Sequence, residues 1–189
     1  MSHPKNISAR EAMEKLVKGN EQYLTSDFHS GDVSRAIRLN TFNHGQVPYA
    51  IIITCSDSRV VPEYIFSAGI GDLFVIRVAG NVIDKHQLGS IEYGAEHLGT
   101  PLVVVLGHTR CGAVGAAIND NPSGYVKSIT DEIKQAIGME KDDYRAGCLN
   151  VVNSVDVIKK SLGEEYIKKT GIQVIGAICN IDSGKVNFL

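Results

Sequence analysis

The segment IIITCSDSRVVPEY, Ile51 to Tyr64, begins as an apolar run and then sets Cys55, Asp57 and Arg59 at alternate positions. An unbroken apolar run of strand length reads as a strand buried on both faces, the pattern of a parallel sheet. A strand that served only the core would end in turn residues. This one delivers a thiol, a carboxylate and a guanidinium to one end, and open parallel sheets bind ligands at the carboxyl ends of their strands. Extended backbone throws every second side chain to one side, so all three groups can face one point.

Outward from this segment, YAIIIT, LFVIRV, LVVVLGH and IQVIGAIC all read as strands, with helical segments between them. That alternation predicts an α/β fold: a central, mostly parallel β-sheet flanked by helices, with right-handed crossovers. Ser8 with Glu11 three residues on forms a capping box. It opens a helix with Ala12, Leu16 and Tyr23 as packing candidates. A shorter helix runs through VSRAIRLNTF. Pro62 suits the first turn of a helix after Val61, and HQLGSIEYGAEHLG is a helix closed by Gly99 before Pro101. SITDEIKQAI and CLNVVNSVDVIKKSLG are two more, and the tail NIDSGKVNFL holds a turn at Ser183-Gly184 and a closing edge strand. No repeat or linker interrupts the chain. The economical reading is one domain, 1–189, with 1–45 as an N-terminal helical arm and 46–189 as the α/β core.

The 189 residues are 43% hydrophobic and 21% charged, with a formal net charge of −2. This is the balance of a globular chain, with no electrostatic case for nucleic acid or an anionic membrane. The apolar runs fall far short of a membrane span. MSHPKNISAREAMEKL has no apolar signal-peptide core, so a cytoplasmic location is expected. In that compartment the four cysteines, Cys55, Cys111, Cys148 and Cys179, are better read as metal ligands or thiols than as disulfides. Cys148 and Cys179 lie among apolar neighbours and read as small buried hydrophobes. His3, His29, His44, His86 and His97 read as solvated or structural.

A second strand also ends in chemistry: LVVVLG runs into His108, and TRCG follows with Cys111. A cysteine at a strand end is usually packing, and a lone His-x-x-Cys is a weak signal. Two predicted strand ends at one sheet edge carrying Cys55, His108 and Cys111, with Asp57 and Arg59 attached, point to a metal. The set is soft to borderline and suits zinc, and three protein ligands leave a tetrahedral position open, the mark of a catalytic site. Cys111 precedes Gly112 near a helix start, where the helix dipole favours a thiolate. CSDSR is too short between Cys and Arg to be a phosphate-cradling loop.

CSDSRV together with GHTRCGA resembles the zinc signature of the β-class carbonic anhydrases. The similarity extends through GQVPYAIIITCSDSRVVPEYIF, GDLFVIRVAGN, SIEYGAEHL and DSGKV, and so spans most of the chain. The resemblance implies Zn²⁺ on Cys55, His108 and Cys111, with Asp57 as the one candidate for a fourth ligand. It implies Asp57 and Arg59 as the catalytic pair, and carbon dioxide and bicarbonate as substrates. It also implies a homo-oligomer, dimer or tetramer, with the N-terminal helices packed on a partner and Gln46 reaching substrate in a neighbouring subunit. Tyr93 matches a pocket tyrosine of some members, and Gly112 falls beside the substrate. Some bacterial members hold regulatory bicarbonate with a tryptophan three residues before the first zinc cysteine; here that position is Ile52, although Arg77 matches the arginine of that site. Close relatives hydrolyse carbonyl sulfide or carbon disulfide on the same ligands. A non-catalytic zinc module, with Asp57 closing the site, is the alternative from another class.

Overall fold

Strands without polar alternation need cover on both faces, and the computed structural model, which describes residues 6–119 and 122–189, supplies it. Among the described residues, five strands form one sheet in the order β2-β1-β3-β4-β5. They are β1 (Ala50–Thr54), β2 (Leu73–Arg77), β3 (Leu102–His108), β4 (Gln173–Cys179) and β5 (Val186–Phe188). The first four run parallel, and β5 returns antiparallel along β4. The helices are α1 (Ala9–Thr25), α2 (Arg35–His44), α3 (Pro62–Ile65), α4 (Lys85–Glu92), α5 (Gly112–Asn119), α6 (Tyr125–Ile137), α7 (Asp143–Leu162) and α8 (Glu164–Thr170).

β1 and β3 are buried along their whole length. Alternate residues feed two cores. Ala50, Ile52, Leu102, Val104 and Leu106 meet Leu16 of α1 and Phe66 on one face. Ile51, Ile53, Val103 and Val105 join the cluster that holds Val151, Val155 and Ile158 of α7 on the other. α7 seats close on β3 and β4 because Gly107 and Gly176 leave room: a Cβ at either would lie 2.6 Å from a methyl of Val151.

The capping box at Ser8 and Glu11 is formed. Ala12 and Leu16 are fully buried. Asn20 binds α1 to its own sheet: its amide donates to the carbonyls of Ile65 and Gly184, and its oxygen accepts from Val186 N–H. Tyr23, expected to pack, is 39% exposed. Its ring lies over the turn at Gly184, at the rim of the core. α2 has no buried residue; Phe28, on the connection that precedes it, and Phe42, within it, stand 84% and 85% exposed.

Pro62 opens α3 as expected. The helix expected over 86–99 is α4 followed by a π-helical turn, Tyr93–His97, before Gly99 turns the chain at φ 65°. α7 starts at Asp143, five residues ahead of the expected Cys148, because Asp142 caps it by accepting from Arg145 N–H. α8 was not expected and buries no residue. Cys179 is buried, whereas Cys148 on α7 is only half-buried, packed against the edge of the second core. His3 lies outside the described residues. No helix among the described residues is long and apolar enough to cross a membrane.

Candidate metal centre

β1 and β3 are neighbours in register, Thr54 beside Leu106. Cys55, one residue past β1, and His108, the last of β3, therefore emerge together at the carboxyl edge. The chain then turns through Thr109 and Arg110, and Cys111 enters just before α5. Cys55 Sγ and Cys111 Sγ are 4.0 Å apart. These two atoms and a ring nitrogen of His108 all lie within 4.8 Å of one another, and all three residues are buried. Two sulfurs on one tetrahedral zinc, each at about 2.3 Å, stand about 3.8 Å apart, so the spacing fits.

The surroundings fit as well. His108 Nδ1 lies 3.0 Å from the Thr109 carbonyl. Donation there fixes the tautomer and leaves the Nε2 lone pair free. Nε2 is buried and has no hydrogen-bond partner among the described residues, which costs free energy unless a proton donor or a metal engages that lone pair. Cys55 Sγ accepts from Gly80 N–H at 3.3 Å. Around them lies an apolar bed of Val82, Val114, Ala117, Ile133, Ile137 and Ala146.

The two thiols behave as a pair. The Cys55 thiol is pushed down, chiefly by a hydrogen bond from Cys111, with help from His108 and Gly80 N–H. Cys111 is pushed up by the same bond and by burial. His108 is pulled down by burial, but the nearby Cys55 sulfur and the Thr109 carbonyl prevail and raise it. A cation placed among these groups takes the role that the shared protons play.

Asp57 and Arg59 stand beside this triad. Arg59 donates from Nε to Asp57 Oδ1 at 2.9 Å and from Nη2 to Oδ2 at 2.7 Å. These bonds hold the Asp57 carboxyl well below the usual carboxylate range and raise the guanidinium further. Asp57 Oδ2 is 3.9 Å from His108 Nε2. Arg77, at the end of β2, donates to the carbonyls of Cys55 and Asp57, so it holds the loop that presents them.

The other candidates are scattered. Gly112 opens α5 beside Cys111 and lines a cavity of about 470 Å³ with Arg110, Gly115 and Asp143. Gln46 is exposed on the connection before β1, at the opposite end of that strand from Cys55. Tyr93 packs against Phe74, which pairs with Ile51, roughly 13 Å along β1 from Cys55. Neither Gln46 nor Tyr93 is brought to the metal centre of its own chain. Sequence reasoning missed Gly80. Its N–H reaches Cys55 because φ is 69° and because Asn150 and Ser154 of α7 hold the carbonyls of Gly80 and Asn81. The AGN triplet after a strand was its only local signal.

Comparison with known proteins agrees with this geometry. The carbonic anhydrase family model matches residues 50–186. Carbonic anhydrase 2 of Mycobacterium tuberculosis is 35% identical over 194 residues, covering 95% of this chain and 92% of its own. The β-carbonic anhydrase CafA of Aspergillus fumigatus superposes with a TM-score of 0.70 at 30% identity, covering 82% of this chain and 81% of its own. A tetrameric β-carbonic anhydrase of Sordaria macrospora gives a TM-score of 0.70 at 26% identity, over 82% and 87% of the two chains. The chain, an enzyme with a Cys-His-Cys metal-binding group, belongs to the β-carbonic anhydrase family.

Proposed function

We propose that this enzyme binds zinc through Cys55, His108 and Cys111 and catalyses the reversible hydration of carbon dioxide to bicarbonate and a proton. The observation that carries the reading is the buried Cys-His-Cys cluster, with the unpartnered His108 Nε2, facing a carboxylate already paired to arginine. Cys55, His108 and Cys111 would hold the zinc, which when bound would lower the pKa of a water and so supply a nucleophile at neutral pH. Asp57 accepts a hydrogen bond from the nucleophile and aims its lone pair at the substrate carbon. Arg59 keeps Asp57 ionised and oriented. The apolar bed excludes bulk water and suits a linear, apolar substrate. Gly112 lines the approach.

Gln46 and Tyr93 act, in this reading, in the site of a second copy. Gln46 donates its amide hydrogen to the oxygen on which charge develops. Support for a homo-oligomer comes from the bare face of α2, from the far-end position of Gln46, and from the tetrameric relative. The four free cysteines fit a reducing compartment, and we place the enzyme in the cytoplasm. The two-pronged Arg59 bond to Asp57 speaks against a permanently closed, non-catalytic metal site. Hydrolysis of carbonyl sulfide or carbon disulfide would use the same ligands.

The test is a pH-indicator hydration assay on zinc-loaded protein beside sulfide release from carbonyl sulfide. Rapid hydration with slow sulfide release is expected. The reverse ranking would reassign the substrate.

A further inference from the structure

We infer that Asp143 is a positioning residue for the metal centre, fixing the Arg110 peptide in the left-handed conformation that carries Cys111 to Cys55 and His108. Two residues, Thr109 and Arg110, separate two ligands. Thr109 is tied to the end of β4, donating its N–H to the Cys179 carbonyl and accepting from Ile181 N–H at its hydroxyl. Arg110 must then reverse the chain, and it does so at φ 54°, a region that side chains other than glycine, asparagine and aspartate seldom adopt.

Both polar groups of the Arg110 backbone are held from outside the turn. Its N–H donates to Asp143 Oδ2 at 2.9 Å. Its carbonyl accepts from Arg59 Nη2 at 3.2 Å. Asp143 is not occupied in capping its own helix, since Asp142 does that. Its carboxylate lines the same cavity as Arg110 and Cys111. α7, which carries it, is seated on β3 and β4 and also holds the Gly80 loop behind Cys55. One helix thus orders the surroundings of both cysteines. Through the Arg110 peptide, Asp143 is also linked to the arginine that grips Asp57.

This inference rests on Cys55, His108 and Cys111 being the metal ligands. The experiment measures zinc affinity by chelator competition, and the thiolate-to-metal absorption of the cobalt form, on the full chain. Asp143→Ala is expected to weaken zinc binding roughly 10- to 100-fold and to alter the cobalt band. Asp143→Asn, which keeps an acceptor oxygen, should stay near the wild type. Asp143→Ala combined with Arg110→Gly should recover most of the affinity and the band, because glycine takes the left-handed conformation unaided. That double variant decides the matter if Asp143→Ala alone does not fold. Three results overturn the inference: unchanged affinity and spectrum in Asp143→Ala, a lowered unfolding midpoint with unchanged zinc affinity, or a double variant no better than the single one. A wild-type chain that takes up neither zinc nor cobalt would remove the metal reading itself, which is a different failure.

Discussion

Arg59 grips both carboxylate oxygens of Asp57, at 2.9 and 2.7 Å, while Asp57 Oδ2 stays 3.9 Å from His108 Nε2. A metal held by Cys55, His108 and Cys111 would offer Asp57 an alternative to this grip. Arg59→Ala should free Asp57 to turn onto that metal. The variant should keep its zinc, gain an oxygen ligand from Asp57, and lose roughly 10²-fold or more in turnover. A crystal structure checks this. If Asp57 in the variant still points away from the metal, Arg59 has another task than holding it off.

The same pair leaves the neutral pH range to the metal ligands. Arg59 hydrogen bonds hold the Asp57 carboxyl well below its ordinary value. A carboxyl lowered by folding contributes stability above its unfolded pKa of about 4, and that contribution is lost only as pH falls through the lower folded value. Asp57 is therefore ionised across the neutral range and does not shape the pH profile there. The donor set does: two thiolates and a neutral imidazole cancel the charge of a divalent zinc, so bound water should be less acidic than in a three-histidine site. The hydration rate should climb with pH on the alkaline side of neutrality. A rate already flat from about pH 6 upward would contradict this.

Gly80 should tolerate no side chain. Its φ is 69°, and a Cβ would lie 2.7 Å from the Ile133 Cδ1 and 3.0 Å from the Ala113 Cβ. Gly80→Ala should destabilise the fold by about 1–3 kcal/mol. It should also weaken zinc binding roughly 10- to 100-fold by moving the N–H from Cys55 Sγ. Gly89→Ala is the control. Gly89 lies in α4 with nothing within 4 Å of an added Cβ, so it should stabilise by about 0.5–1 kcal/mol. Denaturant unfolding and chelator competition measure both variants.

What was legible in the sequence follows from which forces act locally. β1 and β3 could be read because burial on both faces leaves an unbroken apolar run, and that burial is complete. Cys55 and His108-x-x-Cys111 could be read because ligand chemistry restricts residue type and adjacent strand ends bring them together. The Ser8 cap and Pro62 were legible for the same local reason. α8 was not, since a seven-residue helix that sets only Tyr166 and Ile167 against the core is too short to show a periodicity. Nor were Gly80 and Asp143, whose roles depend on partners 25 and 33 residues away. Tyr23 misled because a helical stripe does not reveal where the core stops.

If Gln46 works in a second copy, two inactive variants should complement each other. Gln46→Ala should lower turnover roughly 10- to 1,000-fold with zinc retained. Mixed and reassembled with Arg59→Ala, half of the dimers would be hybrids, each with one site whose Gln46 and Arg59 are both intact. About a quarter of wild-type activity should return, by the symmetry of a two-fold dimer. A mixture no more active than the mean of its parents would confine Gln46 to its own chain or remove it from the mechanism.

The metal assignment itself is tested most directly by X-ray absorption at the zinc edge, with metal content measured alongside, on the wild type and on Cys111→Ser. The wild type should hold about one zinc per chain, with two sulfurs at about 2.3 Å and lighter neighbours at about 2.0 Å. Cys111→Ser should lose most of its zinc. A wild-type spectrum without sulfur, or a Cys111→Ser protein still fully loaded, would contradict the assignment of Cys55, His108 and Cys111 as the zinc site.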